Sequence, residues 1–437
     1  MRLALLLLAL TACGSVALAA SNTQHETAVR TPSSNPKTLV IINSPETQQT
    51  HSAFFSMLTA RGHQLDFVEA GEGSGSAGKL VQFDVPAYDG VMLFAPTAED
   101  LGEDASVESL QRFVDLGRNV LIVGDVSVSE PVREILAEMM GIDVDEEGTR
   151  VQDPKLGTGD KHDLVQGERT PAAINFVGSK NTNPVLFRGL GHVAQQSSLV
   201  TPVLTGSPSA TSDTMGSAVS EYPAATGRDV MLVSAMQTRN NARMVYCGSI
   251  DMFSNDILNK NAGSAKSGNE EFVRQIAAWT FQERGLLRAS QLKHWKVGAE
   301  HDVNPGSYRV QDHIVFSIVI EEFDGETDAW KPYTAEDVQL EFTMLDPYLR
   351  ATLPSVALGK YSIAFQVPDV YGVYKFVVPY ARLGYSTLEV ASQVSVHPFR
   401  HDEFERFLLV AYPYYSSAFT IMAAFFVFGV VFLYHKE

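Results

Sequence analysis

The sequence predicts an α/β fold with a mostly parallel sheet, followed by a β-sandwich-like domain and one C-terminal transmembrane helix. Three observations carry that expectation. Continuously apolar runs alternate with amphipathic segments up to residue 285, period-two strands follow from about residue 288, and no charge interrupts Phe407 to Tyr434. The first pattern is that of strands buried on both faces and covered by helices, the second that of half-buried sandwich strands, and the third that of a bilayer span, which needs about 20 apolar residues.

Taken in order, residues 1–19 read as a cleaved signal peptide: a basic start at Arg2, an apolar core, and small residues at Ala17 and Ala19. A competing parse makes Leu10–Cys13 a lipoprotein box with Cys13 lipidated, although the far end already supplies an anchor. A polar lead-in rich in Ser, Thr and Asn precedes the first strand, Thr38–Ile42, and Ser44-Pro45 then opens a helix with Phe54, Phe55 and Leu58 on one side. Further strands fall at Leu65–Glu69, Gly90–Phe94 and Asn119–Val123. Ser106 and Ser129 stand where helix caps belong, ahead of Leu110, Phe113 and Val114 and of Ile135, Leu136, Met139 and Met140. Between about 143 and 229 the periodicity fades, which predicts an irregular insertion with a strand or two. Order returns with Asp229–Met236 and Met244–Ile250, joined by a turn at Asn240-Asn241 that suits a hairpin. A helix from Glu270 to Arg284 closes a first domain spanning 37–285, and alternating runs at His313–Ile320, Val338–Met344, Tyr361–Phe365, Val373–Val378 and Leu388–Val396 fill a second spanning 288–398.

The span is placed at 412–434 and leaves a tail of 435–437. Tyr412, Tyr414 and Tyr415 at one end and Tyr434 at the other suit the two membrane interfaces, where amphipathic rings settle. Ser416, Thr420 and Ala424 recur every four residues and so share one helix face, on which small side chains let a second helix approach. A cleaved signal and a C-terminal span put the bulk of a single-pass chain outside the cytosol.

Composition narrows the function classes. The 437 residues carry 33 basic and 51 acidic side chains for a net charge of −18, which disfavours a nucleic-acid partner. Of two cysteines, only Cys247 survives signal removal, so no disulfide can form within the mature chain. Catalytic patterns fail one after another. Gly73, Gly75, Gly78 and Lys79 mimic a phosphate-binding loop, but Leu80 stands where Ser or Thr would hold magnesium and Pro86 cuts off any helix. Cys247 lies inside a strand, not on the sharp turn of a nucleophile elbow. The histidines show no ligand spacing, since Pro398 separates His397 from His401. The acidic run Asp143, Asp145, Glu146 and Glu147 reads as a solvated loop. No catalytic, cofactor-binding or metal-binding residue is assigned.

Several stretches together resemble a known family: Thr50–Phe55 with Arg61 and Gly62, Asn183–Gly191, Arg239–Arg243 running into Gly248–Ser254, Pro368–Tyr374, Arg382–Tyr385, Gln393–Val396, Glu405–Phe407 and Ala411–Tyr415. They are similar to the family of 48 kDa subunits of the dolichyl-diphosphooligosaccharide-protein glycosyltransferase, the oligosaccharyltransferase of the endoplasmic reticulum. The loop from Gly71 to Gly78 and the segment from Ser207 to Val219 depart from it. The resemblance implies a lumenal domain of glutamine-amidotransferase-like fold, a β-rich lumenal domain and one span in the endoplasmic reticulum membrane. It also implies a non-catalytic assembly role in the transfer of a preassembled glycan from dolichyl diphosphate to asparagine. The expected partners are the multispanning catalytic subunit, small membrane subunits and the lipid bilayer, with no cofactor. Two rivals stay open: an amidotransferase- or hydrolase-like enzyme built on the same sheet, and a single-pass cargo receptor of the secretory pathway.

Overall fold

The computed structural model describes residues 25–26, 35–71, 79–102, 105–155, 157, 163–178, 183–195, 198–214, 225–262, 265–325, 327–404 and 409–435. The expected signal segment 1–19, the glycines at 73, 75 and 78, and residues 436–437 of the expected tail lie outside the described residues.

An 11-stranded sheet organises the first part of the chain. Its order runs Val185–Phe187, Val165–Arg169, Val200–Thr205, Met231–Gln237, Arg243–Cys247, Asn119–Val123, Gly90–Phe94, Lys37–Ile42 and Gln64–Glu69. From Arg243–Cys247 to Gln64–Glu69 the neighbours are parallel; from Arg243–Cys247 to Val185–Phe187 they are antiparallel. The expected mostly parallel sheet is therefore a mixed one. The cause is the turn at Asn240-Asn241, where Asn241 takes φ 66°. That turn sends the chain straight back beside itself, and a direct return of this kind makes antiparallel neighbours.

Strand residues alternate between two apolar cores. Val40, Ile42, Met92, Phe94, Leu121 and Val123 face the helices Ser52–Thr59 and Asn269–Thr280. Leu39, Ile41, Val91, Leu93, Val120 and Ile122 face Val107–Asp115 and Glu130–Met140. Ser106 caps its helix by accepting from the Ser109 amide, whereas Ser44 and Ser129 precede theirs without a side-chain cap.

Two expectations are corrected here. In place of the strand or two expected between 143 and 229, the described residues of that segment hold Thr149–Gln152, Val165–Arg169, Val185–Phe187, His192–Ala194, Val200–Thr205 and Thr211–Thr214, four of them in the main sheet. Four of the six have only three or four residues, and Val165–Arg169 is polar beyond its first residue, so period and length mark them poorly. The last helix of this lobe stops at Thr280 and not at Arg284. Gln282 adopts φ 60°, a conformation held by its buried amide donating to Asn241 O at 2.8 Å, and Arg284 already begins a 13-residue strand.

That strand, Arg284–Lys296, opens a sandwich. One sheet pairs it with His313–Asp324, Lys360–Gln366 and Ser355–Ala357; the other joins Leu388–His397, Gly372–Tyr380, Gln339–Thr343 and Pro347–Thr352. Ile314, Phe316, Ile318 and Ile320 of the first sheet meet Leu340, Phe342, Tyr374, Phe376 and Val378 of the second in one core, and Phe342 stacks on Tyr374 with centroids 4.5 Å apart. Beyond the sandwich comes the helix Tyr412–Tyr434, none of whose residues is buried.

Candidate functional site

Cys247 is the first candidate for chemistry, and flanking strands enclose it on both sides, with Val123 and Val233 as its register partners. The thiol contacts Ser249 O at 3.5 Å and Met252 Sδ at 3.7 Å, and burial pushes its pKa up to about 12. A buried thiol of that pKa is neither exposed nor ionised, the two properties a nucleophile needs. Four buried histidines are spent on structure as well. His51 Nε2 meets Ile250 O at 3.1 Å, His63 bridges Thr38 at 3.1 Å and Glu283 at 2.6 Å, and His294 Nδ1 meets the Tyr308 hydroxyl at 2.8 Å. His192 lies fully buried with Nε2 2.6 Å from Ser234 Oγ, and burial lowers its pKa to about 3. Of the acidic run, Asp143, Glu146 and Glu147 are exposed, but Asp145 is buried and accepts from the Ser212 hydroxyl. The solvated-loop reading fails for Asp145 because a neighbouring segment folds over it, and burial raises its pKa.

The most built-up polar arrangement is the junction between sheet lobe and sandwich. Arg243, wholly buried, donates to Trp279 O at 2.7 Å, Arg284 O at 2.6 Å and Gly285 O at 2.7 Å, while its guanidinium sits 4.8 Å from the Trp279 ring. Burial draws its pKa down to about 9, so it remains a cation at neutral pH. Three carbonyls at the end of one lobe and the start of the next thus share one charge-assisted donor. From the sandwich, Gly384 O accepts from Trp279 Nε1 at 2.8 Å, Tyr385 O from Gln237 at 2.9 Å, and Thr387 N donates to Asn241 Oδ1 at 2.7 Å. No sequence signal marks Arg243 as a core residue, because it falls in the polar segment between the runs Asp229–Met236 and Met244–Ile250. A neighbouring cleft of about 810 Å³ is lined by Arg61, Arg274, Arg284 and Lys331 and also by Glu283, Glu322 and Asp324. Its charges answer one another, as Arg61 with Glu283 at 3.1 Å and Lys331 with Asp324 illustrate, and Arg284 donates to the Gln275 amide oxygen at 2.8 Å.

The C-terminal helix is the remaining candidate surface. Among the described residues one helix, Leu409–Tyr434, is long and apolar enough to cross a membrane, with a mean hydropathy of 2.2. Tyr412 and Tyr434 bound the helical segment, and at 1.5 Å per residue they stand roughly 33 Å apart, close to the thickness of a bilayer's hydrocarbon core. Ser416, Thr420 and Ala424 follow one another at helical spacing. The Ser416 hydroxyl donates to Pro413 O at 2.9 Å and the Thr420 hydroxyl to Ser416 O at 2.8 Å. Both are satisfied inside the helix, which leaves that face small and free of polar demand.

A mixed-sheet lobe whose one described thiol is buried, a sandwich locked onto it and one bare apolar helix among the described residues fit a single-pass membrane protein. Comparison with known proteins makes this particular: the OST48 N-terminal domain description matches residues 29–283 and the OST48 middle domain description residues 294–436, and the chain belongs to the OST48 family. Relatives called the dolichyl-diphosphooligosaccharide--protein glycosyltransferase 48 kDa subunit include one from Arabidopsis thaliana, 40% identical over 92% of this chain and 93% of its own. Others come from Danio rerio, at 40% over 92% of each chain, and Drosophila melanogaster, at 38% over 92% of this chain and 91% of that one. Among solved structures, a ThuA-like protein from Parabacteroides merdae is 14% identical over 56% of this chain and 90% of its own, at a TM-score of 0.31.

Proposed function

We propose that this chain is a non-catalytic structural subunit of an oligosaccharyltransferase, the complex that moves a preassembled glycan from dolichyl diphosphate to asparagine in nascent polypeptides. The observation that carries the reading is the near full-length likeness to relatives called the 48 kDa subunit of that enzyme. The chemistry of the described residues agrees with it, since the thiol best placed for catalysis, Cys247, is sealed in the sheet. In this reading residues 37–285 and 288–398 are two lumenal domains in the endoplasmic reticulum, the first a variant of the glutamine-amidotransferase-like fold. The helix 412–434 crosses the membrane and the tail 435–437 is cytosolic. Tyr412, Tyr414, Tyr415 and Tyr434 anchor the helix at the two interfaces, and the face of Ser416, Thr420 and Ala424 packs against a helix of another subunit, the multispanning catalytic one or a small companion.

The test is recovery of the full-length protein from membranes in mild detergent, followed by identification of what accompanies it. A glycosyltransferase assembly with a multispanning member is the expected result, and a lone chain would overturn the proposal. A Cys247→Ser chain should support glycosylation fully; loss of glycosylation with normal assembly would move the chemistry onto this subunit.

A further inference from the structure

The sandwich has two ends, and they expose different chemistry. At one end, residues 384–387 dock on the sheet lobe through Trp279, Gln237 and Asn241. The paired strands Gly372–Tyr380 and Leu388–His397 run away from that junction in register, and at about 3.3 Å per residue their far end stands roughly 30 Å from it. At the far end Gly372 lies opposite Val396, and Thr343 lies between Lys375 and Pro347. The turn 344–346 and the loop 368–371 are therefore neighbours. A Cβ added to Gly372 would fall 2.5 Å from Met344 Sδ, and the Tyr374 hydroxyl fixes the loop by donating to Val370 O at 2.9 Å.

The chain also leaves the sandwich from this end. His397 ends its strand there, and the next few residues stay close: Arg309, the register partner of His397, lies 4.9 Å from the Phe399 ring and 3.7 Å from Glu403. The apolar helix begins a short way on, at Leu409. The side chains offered to the outside here are Leu345, 94% exposed, and Tyr371, 66% exposed, with Val370 and Val373 beside them. A single exposed aliphatic residue at a turn, such as Leu358 elsewhere in the sandwich, is ordinary, but four apolar side chains grouped at two neighbouring loops form a patch that needs a partner.

We propose that this end of the sandwich rests on the bilayer crossed by the C-terminal helix, with Leu345 and Tyr371 entering the headgroup region and the sheet lobe held above it. The proposal rests on the reading of that helix as a span. Aliphatic and tyrosine side chains at a loop tip match the interfacial layer, where an apolar body and a polar tip are both accommodated. The charges carried by the two loops are Asp346 and Asp369, so the surface that fits is zwitterionic, since an anionic one would repel them.

The experiment uses the full-length protein, with the subunits that accompany it, reconstituted into phosphatidylcholine vesicles. Single cysteines at Leu345→Cys and Tyr371→Cys carry an environment-sensitive fluorophore, while Cys247, buried, stays unlabelled. Leu358→Cys at another turn of the sandwich, 78% exposed, reports the aqueous limit, and Met422→Cys in the helix reports the lipid limit. Labels at 345 and 371 should show blue-shifted emission and quenching by a nitroxide on the lipid, to a depth shallower than at 422, with 358 quenched by aqueous iodide alone. If 422 is quenched by lipid while 345 and 371 follow 358, the proposal falls and the span stands. Shielding of 345 and 371 from both quenchers would mean that another protein covers the loops, which also overturns it. A label at 422 that the lipid does not quench would sink the span itself, and the proposal with it.

Discussion

Asn269–Thr280 and Tyr412–Tyr434 are both rich in apolar residues, yet they end in opposite situations. The first buries Phe272, Val273, Ile276, Ala277 and Trp279 against the sheet and keeps Glu270 outward. The second has no buried residue at all. An amphipathic helix carries the instruction for its own packing, since one stripe must find an apolar surface and the other must not. A helix apolar all round carries none, and its partner has to come from outside the chain, as lipid or as another helix. Folding and assembly are thereby separated: the junction is held by bonds within this chain, and the span is held by its surroundings.

The separation can be attacked from either side. The largest effect is expected at Trp279, which packs on Phe176 at 4.7 Å and bonds Gly384 O: Trp279→Ala should destabilise the folded lobes by about 3–5 kcal/mol, read as a lowered denaturant midpoint for protease resistance, with membrane retention unaltered. A midpoint that does not move would mean the two lobes do not rely on this contact. Phe425→Asp should do the converse, raising the cost of membrane insertion by about 3 kcal/mol and releasing folded protein on alkaline extraction.

Acid should act on the lobes alone. His192 has its pKa lowered by burial from 6.5 to about 3, so the unfolded chain binds a proton that the folded one refuses. Its contribution to stability is whole above pH 6.5 and is lost as pH falls toward 3; between pH 7 and 5 the loss is about 2 kcal/mol. Denaturation midpoints at the two pH values measure it, and His192→Gln should flatten the slope even though the variant starts less stable. The smallest effect is expected on the span: Thr420→Leu with Ala424→Leu should weaken association with partner helices by about 1–2 kcal/mol. Co-purification in detergent reads this, and undiminished recovery of the other subunits would leave the small residues without a role in packing.

Much of this was legible in advance, for reasons tied to particular residues. Asn119–Val123 and Gly90–Phe94 are buried on both faces and so are continuously apolar. Gly372–Tyr380 and Leu388–His397 alternate because one face meets the core. The short strands Val185–Phe187 and His192–Ala194 were not legible, since three residues hold too little pattern to distinguish strand from loop. Nor was Arg243. The sequence leaves it in the polar segment ahead of the strand Met244–Ile250, and only the convergence of carbonyls from Trp279, Arg284 and Gly285 explains why it is buried.

By itself, then, the order of residues determined the class of most long elements, though not of the strand Arg284–Lys296, together with the hairpin at Asn240-Asn241 and the apolar helix at the C-terminus, because periodicity and turn chemistry act between neighbours. It also carried the family likeness. The tertiary structure alone decided that half of the large sheet is antiparallel, that Asp145 and Arg243 are interior, and that Leu345 and Tyr371 share the end of the sandwich from which the chain leaves for its helix. Register between distant strands sets all of these, and register is fixed by long-range pairing that no local window contains.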